Sequence, residues 1–171
     1  MITIRPHKKS DIPFRVKWLN NSKINIFVGR QLGKSTTLKK EKEWFDNYLK
    51  NKNKKFFTIL DNKKPIGFMG LSNINKINKN CDLFIIIGED DYRGKGIGKI
   101  AMNWLINYGF DKLKLHKINL GVVVENKIAI KLYKKLGFKI EGKMIEEMMC
   151  KNKYHDIYLM ALFKKDYKYE I

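Results

Sequence analysis

Cysteine is nearly absent: Cys81 and Cys150 are the only two in 171 residues. A disulfide scaffold is therefore excluded, and so low a count points to a reducing compartment. The three histidines, His7, His116 and His155, keep no ligand spacing with the cysteines or with one another, so no metal is expected. No apolar run approaches the ~18 residues of a membrane span. The opening Met1-Ile2-Thr3-Ile4-Arg5 has no apolar core of a secretory signal. The expectation is a cytoplasmic protein with no membrane partner. Repeats and linker-like stretches are also missing, and the length fits one domain over residues 1–171. Carboxylates are few, 17 against 36 Lys and Arg, for a net charge of +19. The imbalance is uneven, +14 over residues 1–80 and +5 over 81–171. Such a surface attracts anions. The Lys and Asn bias of the whole chain, as in Lys50-Asn51-Lys52-Asn53-Lys54-Lys55, accounts equally well for the charge.

Periodicity organises what is there. Ile2 and Ile4 alternate with polar residues as a short strand. Ser10 or Asp11 caps a helix to about Asn20, and Thr37 a second to about Lys50. Residues 21–38 read as irregular. Strands follow at 56–60, from Pro65 to about Ile74, and at Asp82–Ile87, with Asp61-Asn62-Lys63-Lys64 as a hairpin turn. Ile97 to about Leu113 repeats at helical spacing, and Ile118–Val124 is a β-branched, buried strand. Asn126 caps a last helix that ends at Gly137. Phe138–Ile140 and Tyr154–Phe163 close the chain as strands. The order predicts an α/β fold, a mixed sheet with helices on both faces.

Between the Leu83–Ile87 run and the helix lies Arg93-Gly94-Lys95-Gly96-Ile97-Gly98. Glycines between a buried strand and a helix start leave backbone N–H groups uncovered, and the helix dipole adds to their attraction for an anion. Two familiar phosphate loops fail by spacing. Lys95 is followed by Gly96 rather than by Ser or Thr, so the triphosphate loop is excluded. Gly94, Gly96 and Gly98 give G-x-G-x-G, with Lys99 in place of the third glycine of the dinucleotide fingerprint. A plain strand-to-helix turn, with glycines for packing, stays open at this point.

A second pattern sits about 30 residues on: Val122, Asn126, Ala129-Ile130, Leu132-Tyr133 and Gly137-Phe138. With Arg93-x-x-Gly96-x-Gly98 it resembles the GNAT family of N-acetyltransferases, over about Ile2 to Leu162. The closest likeness is to the subgroup of ribosomal-protein-alanine, spermidine and nucleotide-aminosugar acetyltransferases, through Glu141-Gly142, Lys153-Tyr154-His155-Asp156 and Met160. The resemblance implies a mostly antiparallel sheet of about six to seven strands, splayed at its centre, with about four helices. It implies acetyl-CoA as donor. The backbone of Arg93, Gly94, Lys95, Gly96, Ile97 and Gly98 would hold the pyrophosphate, and Ile85, Ile86 and Ile87 would pair with the pantetheine arm as one more strand would. Asn126 would bond the cofactor's amides as well as cap its helix. Relatives are often homodimers.

For the chemistry, the resemblance implies direct attack of a neutral primary amine on the thioester. A backbone N–H at the end of the Ile85–Ile87 strand would stabilise the oxyanion, a contribution worth ~3 kcal/mol in other acyl transfers. Tyr133 stands at the position of the general acid. A thiol near ~8.5 against a tyrosine near ~10 makes full proton transfer uphill by about 2 kcal/mol, so a strong hydrogen bond to the thiolate is the safer description. The base stays open among Asp82, Glu89, Glu141 and a water chain, because Gly121 occupies the position where some relatives carry a glutamate.

The acceptor is read from charge. Phe27 to Lys40 is basic, with no carboxylate before Glu41. That pattern would repel a polycation and attract an amine bearing phosphate or carboxylate. Trp18-Leu19-Asn20 and Glu43-Trp44-Phe45 also look like the nucleotide-aminosugar branch, so a nucleotide-linked amino sugar is the expected acceptor. Spermidine and protein N-termini are the alternatives. His116-Lys117-Ile118 and Glu125-Asn126 resemble the spermidine enzymes. Two non-enzymatic readings compete. A nucleic-acid module would use the charge but leaves both motifs unexplained, so no specific nucleic acid is expected. An acyl-CoA sensor would keep the cofactor cleft and show no turnover.

Overall fold

Among the described residues, seven strands form one sheet in the order β1-β2-β3-β4-β5-β7-β6. They are β1 (Ile2–Pro6), β2 (Lys55–Asp61), β3 (Lys64–Asn75), β4 (Asn80–Ile87), β5 (Lys117–Val123), β6 (Lys139–Cys150) and β7 (Lys153–Phe163). The computed structural model describes residues 1–25, 35–150 and 152–169. Among these residues five α-helices accompany the sheet: α1 (Ile12–Leu19), α2 (Ser22–Asn25), α3 (Leu38–Lys50), α4 (Ile97–Asn107) and α5 (Lys127–Lys135). Every neighbouring strand pair is antiparallel except β4 and β5.

Local chemistry explains most boundaries. The Thr37 hydroxyl accepts the Lys40 N–H and starts α3. Asn62 and Lys63 take left-handed backbone and turn β2 tightly into β3. Asp11 precedes α1 without capping it. Its carboxylate instead binds Arg5 at 2.7 and 2.8 Å, the Thr58 hydroxyl and the Lys8 N–H.

Apolar spacing sets the layers. α4 and α5 lie on one face, where Ala101, Met102, Leu105, Ile130 and Leu136 join Met69, Leu71, Leu83, Ile118 and Met160 in the main core. On the other face Trp18, Leu19 and Ile24 pack against Phe68 and Ile86.

Three elements depart from the sequence reading. Ser22–Asn25 forms the short helix α2, where residues 21–38 were expected to be irregular. The helix from Ile97 ends at Asn107 and continues as a wider π turn over Tyr108–Lys112, not as α-helix to Leu113. β6 runs twelve residues to Cys150, where a strand ending at Ile140 was expected. Its register with β7 shifts between Ile140 and Gly142 and again between Met144 and Met148. Those bulges break the alternation that would have marked it.

Candidate active site

The centre of the sheet opens. β4 and β5 pair only through Asn80 with Lys117, Cys81 with Ile118 and Asp82 with Asn119. Beyond Asp82 the β4 edge that faced β5 has lost its partner, so its backbone groups point into a cleft. A cavity of about 500 Å³ occupies this place. Ile85, Ile86 and Tyr133 line it, with Gly121 and Val123 across from β4.

The glycine turn closes one end of the cleft. Gly94 and Gly96 have φ of 75° and 78°, and Gly96 is the N-cap of α4. A Cβ on either would meet nothing within 4 Å. Glycine is required here by backbone conformation, and the space above the turn is clear for a ligand. The first helical N–H groups to find an acceptor are those of Lys99 and Ile100, on the Gly96 carbonyl. The groups ahead of them, on Ile97 and Gly98, point out of the helix start. This is an open, positively polarised cradle that fits a pyrophosphate. Gly98 serves packing instead, since a Cβ there would stand 3.3 Å from Leu132. Arg93 is not part of the open cradle. Its N–H donates to the Asp90 carbonyl, its Nε to the Ile87 carbonyl at 3.3 Å, and its guanidinium pairs with Asp90 at 2.9 Å. Arg93 therefore ties the turn to the end of β4.

Asn126 caps α5: its Oδ1 accepts the Ala129 N–H at 3.2 Å, which leaves its Nδ2 for another partner. About two helical turns further, Tyr133 faces the cavity. Burial pushes its hydroxyl up to about 12. Against a thiol near ~8.5, full proton transfer from it is uphill by about 5 kcal/mol. Tyr133 is a hydrogen-bond donor at every pH at which the fold is expected to work.

The carboxylates stand apart. Asp82 sits where β4 and β5 begin to diverge and accepts from Asn73 at 2.7 Å. Glu89 accepts from Lys17 at 2.7 and 3.0 Å and from the Trp18 ring N–H at 2.8 Å. Burial would raise its pKa, but these bonds outweigh burial and hold it below the usual range. A carboxylate so held anchors α1 to the end of β4 and is a weak base. Glu141 pairs with Lys117 at 2.7 Å.

The other end of the cavity is aromatic, a feature that sequence reasoning did not identify. Trp44, Phe56, Phe68 and Phe84 line it with Arg15 and Lys54. Trp44 stacks on Phe56 at 5.4 Å, and Phe84 meets Phe56 edge-on at 4.9 Å. The Arg15 guanidinium lies 3.7 Å over Trp44. Its Nε donates to Glu41 at 2.6 Å, and Glu41 also accepts from Thr36. Removing one partner of such a buried pair typically costs about 3–5 kcal/mol, so it fixes α1 against α3. These rings come from α3, β2, β3 and β4, and only spatial pairing brings them together. Most of the basic segment from Phe27 onward falls on residues 26–34, outside the described residues.

The family profile of the acetyltransferase (GNAT) domain matches residues 1–139. The chain belongs to the GNAT acetyltransferase family. This acetyltransferase is 30% identical over 167 residues to the spermidine N(1)-acetyltransferase of Vibrio cholerae, covering 97% of this chain and 95% of the relative. The Vibrio cholerae spermidine N-acetyltransferase solved in complex with CoA and spermine superposes with a TM-score of 0.91, at 29% identity and 97% coverage of both chains. A dodecameric structure of the same Vibrio protein matches with a TM-score of 0.84, at 29% identity, over 96% of this chain and 94% of that one. The enzyme is thus an N-acetyltransferase that uses acetyl-CoA. These relatives favour spermidine, the alternative acceptor, over the nucleotide-linked amino sugar expected from charge. No helix among the described residues is long and apolar enough to cross a membrane. Among those residues no group of three or more His, Cys, Asp or Glu is placed to hold a metal.

Proposed function

We propose that the enzyme acetylates a primary amine of a polyamine of the spermidine type. The observation that carries this reading is the near full-length likeness to the spermidine acetyltransferase solved with CoA and spermine. The aromatic pocket supports it. Flat rings pack against methylene chains and attract ammonium groups through their faces. The Arg15 charge in the wall is matched by Glu41.

Acetyl-CoA supplies the activated acetyl thioester. The chain's own parts then have separate roles. N–H groups of the Gly94–Gly98 turn hold phosphate, and the free edge of β4 over Ile85–Ile87 positions the extended arm. The Asn126 Nδ2 donates to an amide on that arm. Tyr133 donates a hydrogen bond to the sulfur that leaves. Asp82 or a water chain takes the proton from the amine, since Glu89 is committed to Lys17 and Trp18. Assembly into a homo-oligomer belongs to the same reading, by likeness to the dodecameric relative.

A second reading rests on Lys54 in the pocket wall, since the Arg15 charge is matched by Glu41. That cation favours an acceptor with an anionic end, the nucleotide-linked amino sugar included. Release of CoA thiol, measured over spermidine, spermine, nucleotide amino sugars and peptide N-termini, decides between them. The polyamine reading expects spermidine or spermine to give the highest kcat/KM. Turnover only with an anionic amine would replace it by the second reading, and no turnover with any amine would favour an acyl-CoA sensor.

A further inference from the structure

Among the described residues six Asp and Glu are buried or half-buried: Asp11, Glu41, Asp61, Asp82, Glu89 and Asp156. Five of them pair with a cation: Asp11 with Arg5, Glu41 with Arg15, Asp61 with the Met1 amine, Glu89 with Lys17 and Asp156 with Lys143. In a chain with 36 Lys and Arg, Asp82 is held instead by the neutral amide of Asn73, whose Nδ2 donates to Oδ2 at 2.7 Å. A cation fixes a carboxylate in its ionised form and weakens it as a base, whereas an amide fixes its direction with less loss of basicity. The regular pairing of β3 is broken to supply that amide. Ser72 faces Asp82 in register and Asn75 faces Asn80, so Asn73 and Ile74 together stand opposite Cys81. This is a bulge. Leu71 and Ile74 both enter the main core although they are three residues apart, which regular alternation forbids. Asn73 is the extra residue. It takes left-handed backbone, with φ of 51°, and its amide reaches Asp82. Asn tolerates that conformation better than most residues with a side chain. The Ile74 N–H donates to the Asn53 carbonyl at 3.0 Å, which anchors the bulge to the segment ahead of β2.

The bulge lies at the site. Asp82 is the last β4 residue paired with β5, and Ser72, directly across from it on β3, lines the acceptor cavity. Opposed residues of an antiparallel pair share a face, with Cβ atoms about 4.5–5.5 Å apart, so Asp82 borders the pocket beside Ser72. We propose that Asn73 is a positioning residue for acetyl transfer: its amide takes Oδ2 of Asp82 and leaves Oδ1 to receive the proton of the attacking amine. In the transfer an N–C bond forms, the C–S bond breaks with its electron pair going to sulfur, and the proton shed by nitrogen passes to Asp82. The inference rests on the proposed function for Asp82 as proton acceptor. It does not depend on which amine is accepted.

Steady-state kinetics with acetyl-CoA and spermidine, carried from acid pH up toward the ~10 at which an alkyl amine is half neutral, test the proposal. Asn73→Gly keeps the left-handed backbone and removes only the amide. It is expected to fold as the wild type by circular dichroism and to bind acetyl-CoA with nearly unchanged affinity. Its kcat should fall about tenfold at neutral pH, within the range that a misplaced catalytic group costs. The deficit should narrow as pH rises, because more of the bound amine then arrives neutral. Asp82→Asn should cost at least as much. Should Asn73→Gly not fold, Asn73→Asp decides the matter: it suits the same backbone and sets a like charge against Asp82, so the acid limb of its kcat profile should move to higher pH by roughly one unit. An acid limb that stays in place would overturn the proposal. An unchanged kcat in Asn73→Gly beside a lowered one in Asp82→Asn would overturn the role of Asn73 alone, as would a deficit that stays constant with pH. An unchanged kcat in Asp82→Asn would remove Asp82 as proton acceptor and the inference with it. Should spermidine give no turnover, the polyamine reading fails alone, and the amine that releases most CoA thiol decides the role of Asn73 by the same comparison.

Discussion

At the scale of single residues, the site is defined by how completely each group is already engaged. Glu89 and Tyr133 show the contrast. Glu89 holds three hydrogen bonds from Lys17 and Trp18 and is kept ionised. Tyr133 is kept protonated by burial and faces the cavity. A neutral hydroxyl facing a developing thiolate contributes a charge-assisted bond, and such bonds are worth about 1.5–3 kcal/mol. Tyr133→Phe should therefore lower kcat by about 10- to 150-fold, with acetyl-CoA affinity by calorimetry nearly unchanged. An unaltered kcat would end the role of Tyr133 in the chemical step.

At the scale of elements, the strand–turn–helix unit of β4, the glycine turn and α4 is held by several constraints at once. Positive φ at Gly94 and Gly96, the clear space above them and the tie from Arg93 to Ile87 all serve one geometry. Gly96→Asp would force a side chain into left-handed backbone and place a carboxylate in the anion cradle. Acetyl-CoA binding should fall by more than about a hundredfold, since roughly 3 kcal/mol is lost once charge repulsion joins strain. The far-UV spectrum should not change. Binding within a few-fold of wild type would remove the phosphate assignment from this turn. This unit was legible in the sequence because its constraints are local: spacing of glycines, an apolar strand before, a helical stripe after. β6 was illegible beyond Ile140 for the converse reason. Two bulges interrupt its alternation, and only pairing with β7 makes it a strand.

At the scale of the whole molecule, stability should depend on pH through a network on the side of α1 and α3. His7 is buried, with Nδ1 2.8 Å from the Thr58 hydroxyl, which itself donates to Asp11. That chain of bonds puts the His7 proton on Nδ1 and leaves Nε2 bare among the rings of Trp44, Phe45 and Phe68. Burial lowers the His7 pKa to about 4, with the Asp11 charge only partly opposing it. The unfolded chain takes up this proton near ~6.5 and the folded one resists until about 4, so stability is full above the first value and falls as pH drops toward the second. The protein should be about 2 kcal/mol less stable at pH 5 than at pH 7.5, measured by urea unfolding. His7→Asn should flatten that slope, whatever its effect on stability at neutral pH. A slope unchanged in the variant would assign the pH dependence to other groups. Below that window Asp11 adds to the loss, because its bonds to Arg5, Thr58 and Lys8 outweigh the effect of burial and hold its pKa down.

The sequence by itself determined the family, the donor, the glycine turn ahead of α4 and the Asn126 cap of α5. Backbone conformation and capping are specified by near neighbours, so Gly94, Gly96, Asn126 and Tyr133 could be read in place. It also carried the order of elements, because apolar periodicity reflects which face of each is buried. What only the tertiary structure decided lies between elements. The aromatic pocket, the matching of Arg15 by Glu41 and the engagement of Glu89 are made by residues far apart in the chain. Net charge pointed to an anionic amine, whereas the relatives reported above are spermidine acetyltransferases. A count of lysines does not report which cations are neutralised across the fold, and the pocket takes its character from the rings that pairing of β2, β3 and β4 brings together.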